Sequence, residues 1–190
     1  MIYIPFIPTE TVFAVLWVII RAALALKNKK FGIKRELMML LMYVNLAVLL
    51  RITFFPMQTN NGRVLSLEFD IANILPLRIN MIPFVNILDY IDPVDILLNI
   101  AGNVMMFIPS GIILPILFKR LDSFWKVTAA GAGMSLCIEI LQLPFAVRAS
   151  DIDDLILNTA GVMAGYGIYA LFRHMKRGGN TQKKSTAQEG

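Results

Sequence analysis

Five apolar runs, each near the roughly 20 residues that carry an α-helix across the hydrocarbon core of a bilayer, set the terms on which this chain can fold. They extend from about Thr9 to Leu26, Leu37 to Met57, Asp95 to Phe118, Phe124 to Val147 and Ile152 to Phe172. Lipid offers no water to backbone polar groups, so runs of this kind are viable only as helices packed side by side. The predicted fold class is therefore all-α, a polytopic integral membrane helical bundle of about five transmembrane helices. Composition agrees, with 57% hydrophobic and 16% charged residues and a mean hydropathy of +0.66, well outside soluble usage. Pro109 and Pro115 in the third run and Pro144 in the fourth predict kinks or helix ends.

The net charge of +5 raises the question of nucleic acid, but the basic residues form no aromatic-interleaved patch, and no nucleic-acid partner is expected. They cluster between the runs instead. Lys27, Lys29, Lys30, Lys34 and Arg35 follow the first; Lys119, Arg120 and Lys126 follow the third; Arg173, Lys176, Arg177, Lys183 and Lys184 follow the fifth. The opposite side holds only Arg63, Arg78 and Arg148. The positive-inside rule then predicts N-terminus out and C-terminus in. The N-terminus has no basic region before its first apolar run and no small-residue cleavage site after it, so that run reads as a retained span. The lone Cys137 allows no internal disulfide.

Four segments follow: residues 1–57 with two spans and a basic cytoplasmic loop, an extracytoplasmic loop over 58–94, a three-span core over 95–173, and a disordered basic tail over 174–190. Within the loop, Asn60 to Gly62 is a turn signal, and Leu65, Leu67 and Phe69 alternate as in a short hairpin. Ile82 to Asp92 reads as an interfacial helix on the outer leaflet, or as an amphipathic connector packed on the protein itself.

The polar residues inside the spans fall on stripes. Asp95, Asn99 and Asn103 descend one face of the third span at intervals of four. Thr128, Ala132, Ser135, Glu139 and Gln142 form a small and polar seam on the fourth; Asp151, Asp154, Asn158, Gly161 and Gly165 do so on the fifth. At about 1.5 Å per residue, Asn103, Glu139 and Asn158 each lie roughly 6 to 12 Å inside the outer boundary, with Arg51 of the second span in the same layer. A carboxylate such as Glu139 is costly in lipid unless it faces partners in the bundle interior. The economical arrangement sets Glu139 among Asn99, Asn103, Asn158, Asp154 and an arginine, opening outward. Gly161 and Gly165 form a GxxxG that suits close helix–helix association, within the chain or with a second copy. Taken singly, Asn99, Asn103, Gln142 and Asn158 equally suit interhelical hydrogen bonding. Part of the acidic cluster at Asp151, Asp153 and Asp154 also serves as an ordinary helix N-terminus, and Arg21 is expected to snorkel to the cytoplasmic interface.

These motifs resemble a known family. Asn99 to Phe118 (NIAGNVMMFIPSGIILPILF) and Ser135 to Tyr166 (SLCIEILQLPFAVRASDIDDLILNTAGVMAGY) are similar to the VanZ-like family. Its signature is an N-x-x-x-N-x-x-x-F-x-P-x-G helix, an S-x-x-x-E-x-x-Q helix, an arginine, and D-x-x-D-x-x-x-N-x-x-G. The resemblance covers roughly Ile79 to Phe172, with Ser110 standing where the family often has a larger apolar residue. It marks Asn99, Asn103, Glu139, Gln142, Arg148, Asp151, Asp154 and Asn158 as site residues, and implies a cell-envelope role linked to resistance against teicoplanin, a lipoglycopeptide that acts outside the membrane.

Three readings of function follow. In the first, an outward polar pocket binds a membrane lipid or lipid-linked cell-wall precursor, with Arg148 and Arg51 available for phosphate, and limits access of lipophilic glycopeptides. In the second, an intramembrane enzyme modifies a phospholipid or glycolipid head group, with Glu139 as general acid or base, Asp154 as its partner and Arg148 as phosphate clamp. No histidine or cysteine nucleophile system supports it; Cys137, two residues from Glu139 on a helix, points elsewhere. Outward carboxylates could hold a divalent cation, but no metal signature is present, and no cofactor or soluble partner is expected. The third, a small transporter or accessory subunit, ranks last because Met105, Ile112, Ile113, Ile168 and Leu171 replace the polar stripe toward the cytoplasm. All three share one topology. A reporter fused after Asp122 should read as cytoplasmic and one after Asp89 as extracytoplasmic; an external Asp122 would invert the scheme.

Overall fold

The computed structural model describes residues 1–28, 32–56, 59–75, 79–84, 92–145 and 150–186. Five helices account for the apolar runs: α1 (Phe6–Asn28), α2 (Ile33–Phe54), α3 (Pro93–Leu117), α4 (Phe124–Gln142) and α5 (Ile152–Thr186). Each is long and apolar enough to cross a membrane, and the fold is the all-α membrane bundle that the hydropathy pattern predicts.

Local chemistry explains most of the boundaries. Asp92 caps α3, its carboxylate accepting the Val94 N–H at 2.8 Å, and Pro93 occupies a first-turn position where no N–H is needed. The helix runs through both Pro109 and Pro115 instead of ending at either. Pro144 has the opposite effect on α4, which stops at Gln142 and not near Val147. Proline cannot donate to the Ile140 carbonyl. That carbonyl accepts from Leu143 N–H at 3.3 Å, and Phe145 N–H turns back to Gln142 at 3.0 Å. At the other end of the chain, α5 continues to Thr186, through the stretch read from sequence as a disordered tail. The Gly178–Gly179 pair lowers helix propensity by about 1 kcal/mol per glycine but removes no hydrogen-bonding group.

Short strands gather at one end of the bundle. β1 (Ile2–Ile4) pairs antiparallel with β4 (Leu67–Phe69), in the register Ile2 to Phe69, Tyr3 to Glu68 and Ile4 to Leu67. Nothing in the hydropathy pattern anticipates β1. β2 (Thr59–Asn60) and β3 (Arg63–Val64) form the hairpin signalled by the NNG, with Asn61 and Gly62 both at positive φ in its two-residue turn. β5 (Ile79–Asn80) runs parallel to β6 (Ser150–Asp151), just ahead of α5. Phe55, Leu67 and Phe145 are buried together beneath this cap. Of the interfacial helix expected over Ile82 to Asp92, residues 85–91 lie outside the described residues.

The main core lies between the helices: Met42, Leu49, Phe107, Ile113, Leu114, Val127 and Val162. α3 and α5 share the most extensive packing, α4 lies against α5, and α2 packs on α3. In lipid the apolar effect does not drive helices together, so small residues that allow close van der Waals contact matter more. A Cβ at Gly161 would strike the Val104 carbonyl, one at Gly165 the Ile108 carbonyl, and one at Gly111 the Val162 carbonyl. The GxxxG of α5 is thus seated on α3 of the same chain. Near the other end of α5, Arg173 pairs with both Asp122 oxygens at 2.7 and 2.6 Å. Arg21 grips Glu36 across the α1–α2 hairpin at 2.5 and 2.7 Å.

The glycine contacts make a sharp contrast measurable. Gly161→Leu and Gly165→Leu should each destabilise the bundle by about 1–3 kcal/mol or more through overpacking, read as lower thermal unfolding and lost monodisperse protein in detergent. Gly167→Ala, where an added Cβ meets nothing within 4 Å, should change stability by no more than about 0.5 kcal/mol.

Candidate functional site

The stripes on α3, α4 and α5 converge on one cavity of about 750 Å³. Its wall carries Asn99, Asn103, Glu139, Gln142, Asp154 and Asn158, together with Asp95, Gly102 and the α2 residues Ile52 and Thr53. Six residues singled out in the sequence thus share one space. Asp95 is exposed in the first turn of α3, whereas Glu139, Gln142 and Asn158 are buried. The cavity therefore grades from an open carboxylate to a shielded polar floor.

Hydrogen bonds hold the wall in position. Asn103 Nδ2 donates to Asp154 Oδ1 at 2.7 Å, tying α3 to α5. Asn158 Nδ2 donates to Ser135 Oγ at 2.9 Å, tying α5 to α4. Gln142 Nε2 reaches the Thr53 carbonyl of α2 at 2.6 Å. Each bond joins a different helix pair, so the site itself fastens the bundle. Two amide oxygens are left over: Gln142 Oε1 and Asn158 Oδ1 are shielded from solvent and meet no hydrogen-bond donor among the described residues. Buried polar atoms are seldom left unpaired.

Glu139 is joined to the start of α5. Its Oε2 accepts the Asp151 N–H at 3.0 Å, and its backbone carbonyl accepts from Ser150 Oγ at 2.6 Å. Asp151 is therefore positioned behind the cavity wall and does not line it. Its Oδ1 accepts from Asp153 N–H at 3.0 Å as a helix cap and lies 3.4 Å from Asn80 Nδ2. Asp153, buried at 2% exposure, accepts the Phe84 N–H at 2.7 Å. Phe84 itself adopts a positive φ of 68°, an uncommon conformation for a bulky residue. Through these bonds the 79–84 segment is fastened to the rim of the site.

Arg51 is placed differently from expectation. Arg51 does not enter the cavity: Nη1 donates to the carbonyls of Phe55 and Pro56 at 3.2 and 3.1 Å, and its guanidinium lies over the Phe6 ring. Those carbonyls lie just past the C-terminal end of α2, where no helical N–H reaches them, and they claim the cation that sequence depth alone assigns to the polar layer. Arg148 lies outside the described residues. No Lys, Arg or His is found among the described residues lining the cavity.

Sequence reasoning missed two contributions. Thr53 enters through its backbone carbonyl, which no side-chain pattern could signal. Asn45 and Ser110 form a separate buried link, with Ser110 Oγ donating to Asn45 Oδ1 at 2.5 Å and Asn45 Nδ2 to the Met106 carbonyl at 3.0 Å. That pair explains why a hydroxyl is accommodated at position 110.

Comparison with known proteins adds a lineage to this geometry. A family model for VanZ/LLP1 matches residues 39–173. Protein VanZ of Enterococcus faecium is 35% identical over 100 residues, covering 52% of this chain and 57% of that relative, so the match spans little more than half of the relative's length. No solved structure matches the chain.

The Asp151 contact separates two substitutions at one position. Glu139→Gln retains a carbonyl oxygen for the Asp151 N–H and should keep the fold. Glu139→Leu leaves that donor unmatched, at a cost of about 1–3 kcal/mol, measurable as a lower unfolding temperature in detergent.

Proposed function

This chain belongs to the VanZ/LLP1 family, and on that footing we propose that its polar cavity binds the head group of a membrane lipid or lipid-linked cell-wall component and so limits access of teicoplanin-type lipoglycopeptides to the envelope. The protein is a multi-pass cell-membrane protein. The observation that carries the reading is the convergence of Asn99, Asn103, Glu139, Gln142, Asp154 and Asn158 on one cavity. Interhelical bonding alone would consume such groups in pairs. Here the amide nitrogens of Gln142 and Asn158 are so used, yet their oxygens meet no donor among the described residues.

The expected topology, with the α4–α5 connection outside, would open this cavity toward the outer leaflet, where lipoglycopeptides act. The mixed wall suits an amphiphile: Ile52, Leu98 and Met106 supply apolar surface beside the amides and carboxylates, as head-group sites generally combine apolar lining with a few polar anchors. The entry of Glu139 and Asp154 into the same space supports a second reading, an intramembrane enzyme that modifies a head group with this pair as acid and base.

Cells expressing the parent should tolerate more teicoplanin than cells expressing Glu139→Gln or Arg148→Ala at equal membrane levels. Equal protection by the variants would remove the cavity from the mechanism. Mass-spectrometric lipid profiles with and without the protein separate the two readings: altered lipid species support catalysis, and an unchanged profile with retained protection supports binding.

A further inference from the structure

The polar cavity has an apolar neighbour. Met106 of α3 lines both the cavity and a groove of about 560 Å³ between α2 and α3, whose walls include Leu41, Val44, Val48, Met105 and Ile112. The two spaces follow the same pair of stripes. On α2 the wall passes from Ile52 to Val48, Asn45 and Leu41, and on α3 from Gly102 to Met106, Pro109 and Ile113. These steps of three and four stay on one face of each helix. Each stripe is roughly 16 Å long at 1.5 Å per residue. That is about half the thickness of the hydrocarbon core, the length of one leaflet's acyl chain. Leu41, Val44, Val48 and Met105 are exposed, so the groove is open to the bilayer along its length. Asn45 is the one polar side chain among its described lining residues, and both ends of that amide are engaged, by the Met106 carbonyl and by Ser110 Oγ.

Accepting the cavity as a head-group site, we infer that its occupant is held by its chain as well: one acyl chain of the same membrane lipid leaves the cavity past Met106 and lies in the α2–α3 groove. Bulk lipid already surrounds the bundle, so burial of hydrocarbon alone gives the groove no advantage. The advantage comes from the tether. A head group fixed in the cavity holds its own chain at the mouth of the groove at high effective concentration. The concave wall then contacts that chain on several sides, and these many small dispersion contacts add up. Met106 suits the junction, because an unbranched thioether adapts its shape to what passes it. The groove between α1 and α2 also reaches Ile52, but its lining includes Glu10 and Arg51. A chain leaving on that side would meet charged groups.

The test uses the full-length protein in detergent with dipalmitoyl phosphatidylglycerol and dipalmitoyl phosphatidylethanolamine, read by native mass spectrometry. Forms of both lipids with a diazirine on one acyl chain are added at equimolar amounts for photolabelling. At least one lipid should bind, and Leu41→Trp combined with Met105→Trp, which fills the groove from exposed positions, should weaken it about tenfold or more. Ile7→Trp, in the α1–α2 groove, should leave binding unchanged. Glu139→Gln should weaken the same lipid, which joins head group and chain in one occupant. The diazirine should label residues 41–48 and 105–113 in preference to α1, and this labelling of the unaltered protein decides the matter if the double variant does not fold. Binding weakened by Glu139→Gln but not by groove filling, with label spread over all the lipid-facing helices, would overturn the chain site and leave the head-group site standing. Weakening by groove filling alone would separate groove from cavity and overturn the single-lipid assignment. No binding of either lipid would overturn the chain site and confine the head-group reading to lipid-linked cell-wall components.

Discussion

Glycines 111, 161 and 165 let α3 and α5 meet with backbone against backbone, each standing where a Cβ would collide with a carbonyl of the facing helix. That contact sets the distance on which the polar chemistry depends. With the two helices this close, the short Asn103 side chain reaches Asp154 directly. A larger residue at the seam would widen the gap and strand both groups in lipid, where an unsatisfied polar atom is expensive. α4 then joins through Gly131 against Val162 and through the Ser135 to Asn158 bond. The cavity is bounded by polar residues of α3, α4 and α5 and, through Ile52 and Thr53, by α2.

Stability and site are consequently made from the same bonds. Asn103, Asn158 and Gln142 each connect a different helix pair while standing in the cavity wall. Interhelical hydrogen bonds in membranes are typically worth only about 0.6–2 kcal/mol each, so their value lies as much in fixing which atoms face the cavity as in holding the bundle. Spending the side-chain nitrogens of Asn103, Gln142 and Asn158 on structure leaves the oxygens of Gln142 and Asn158 without a donor among the described residues. The cap of β1, β4 and Phe145 and the 79–84 segment bonded to Asp151 and Asp153 secure the same end.

Much of this was legible in the chain before folding. Hydropathy predicts five helices because lipid enforces length and backbone pairing with little latitude. Spacing of four and three places Asn99 beside Asn103 and Glu139 near Gln142 on common faces, and the burial cost of a carboxylate turns Glu139 inward. Six of the eight residues marked as a site line one cavity; Asp151 supports it from behind, and Arg148 lies outside the described residues. Arg51 misled because depth along a helix says nothing about competing acceptors, and the end of α2 supplied two.

What the sequence determined by itself is the class of fold, the identity of the polar faces and their approximate depth, since each follows from helix periodicity and the cost of polar groups in lipid. Only the tertiary structure decided which face meets which neighbour. The Thr53 carbonyl opposite Gln142, the Asp151 N–H on Glu139 and β1 beside β4 all join residues distant in the chain. The physical reason is that periodicity orients a side chain about its own helix axis, whereas its partner depends on how closely two helices approach, and here a few glycines set that distance.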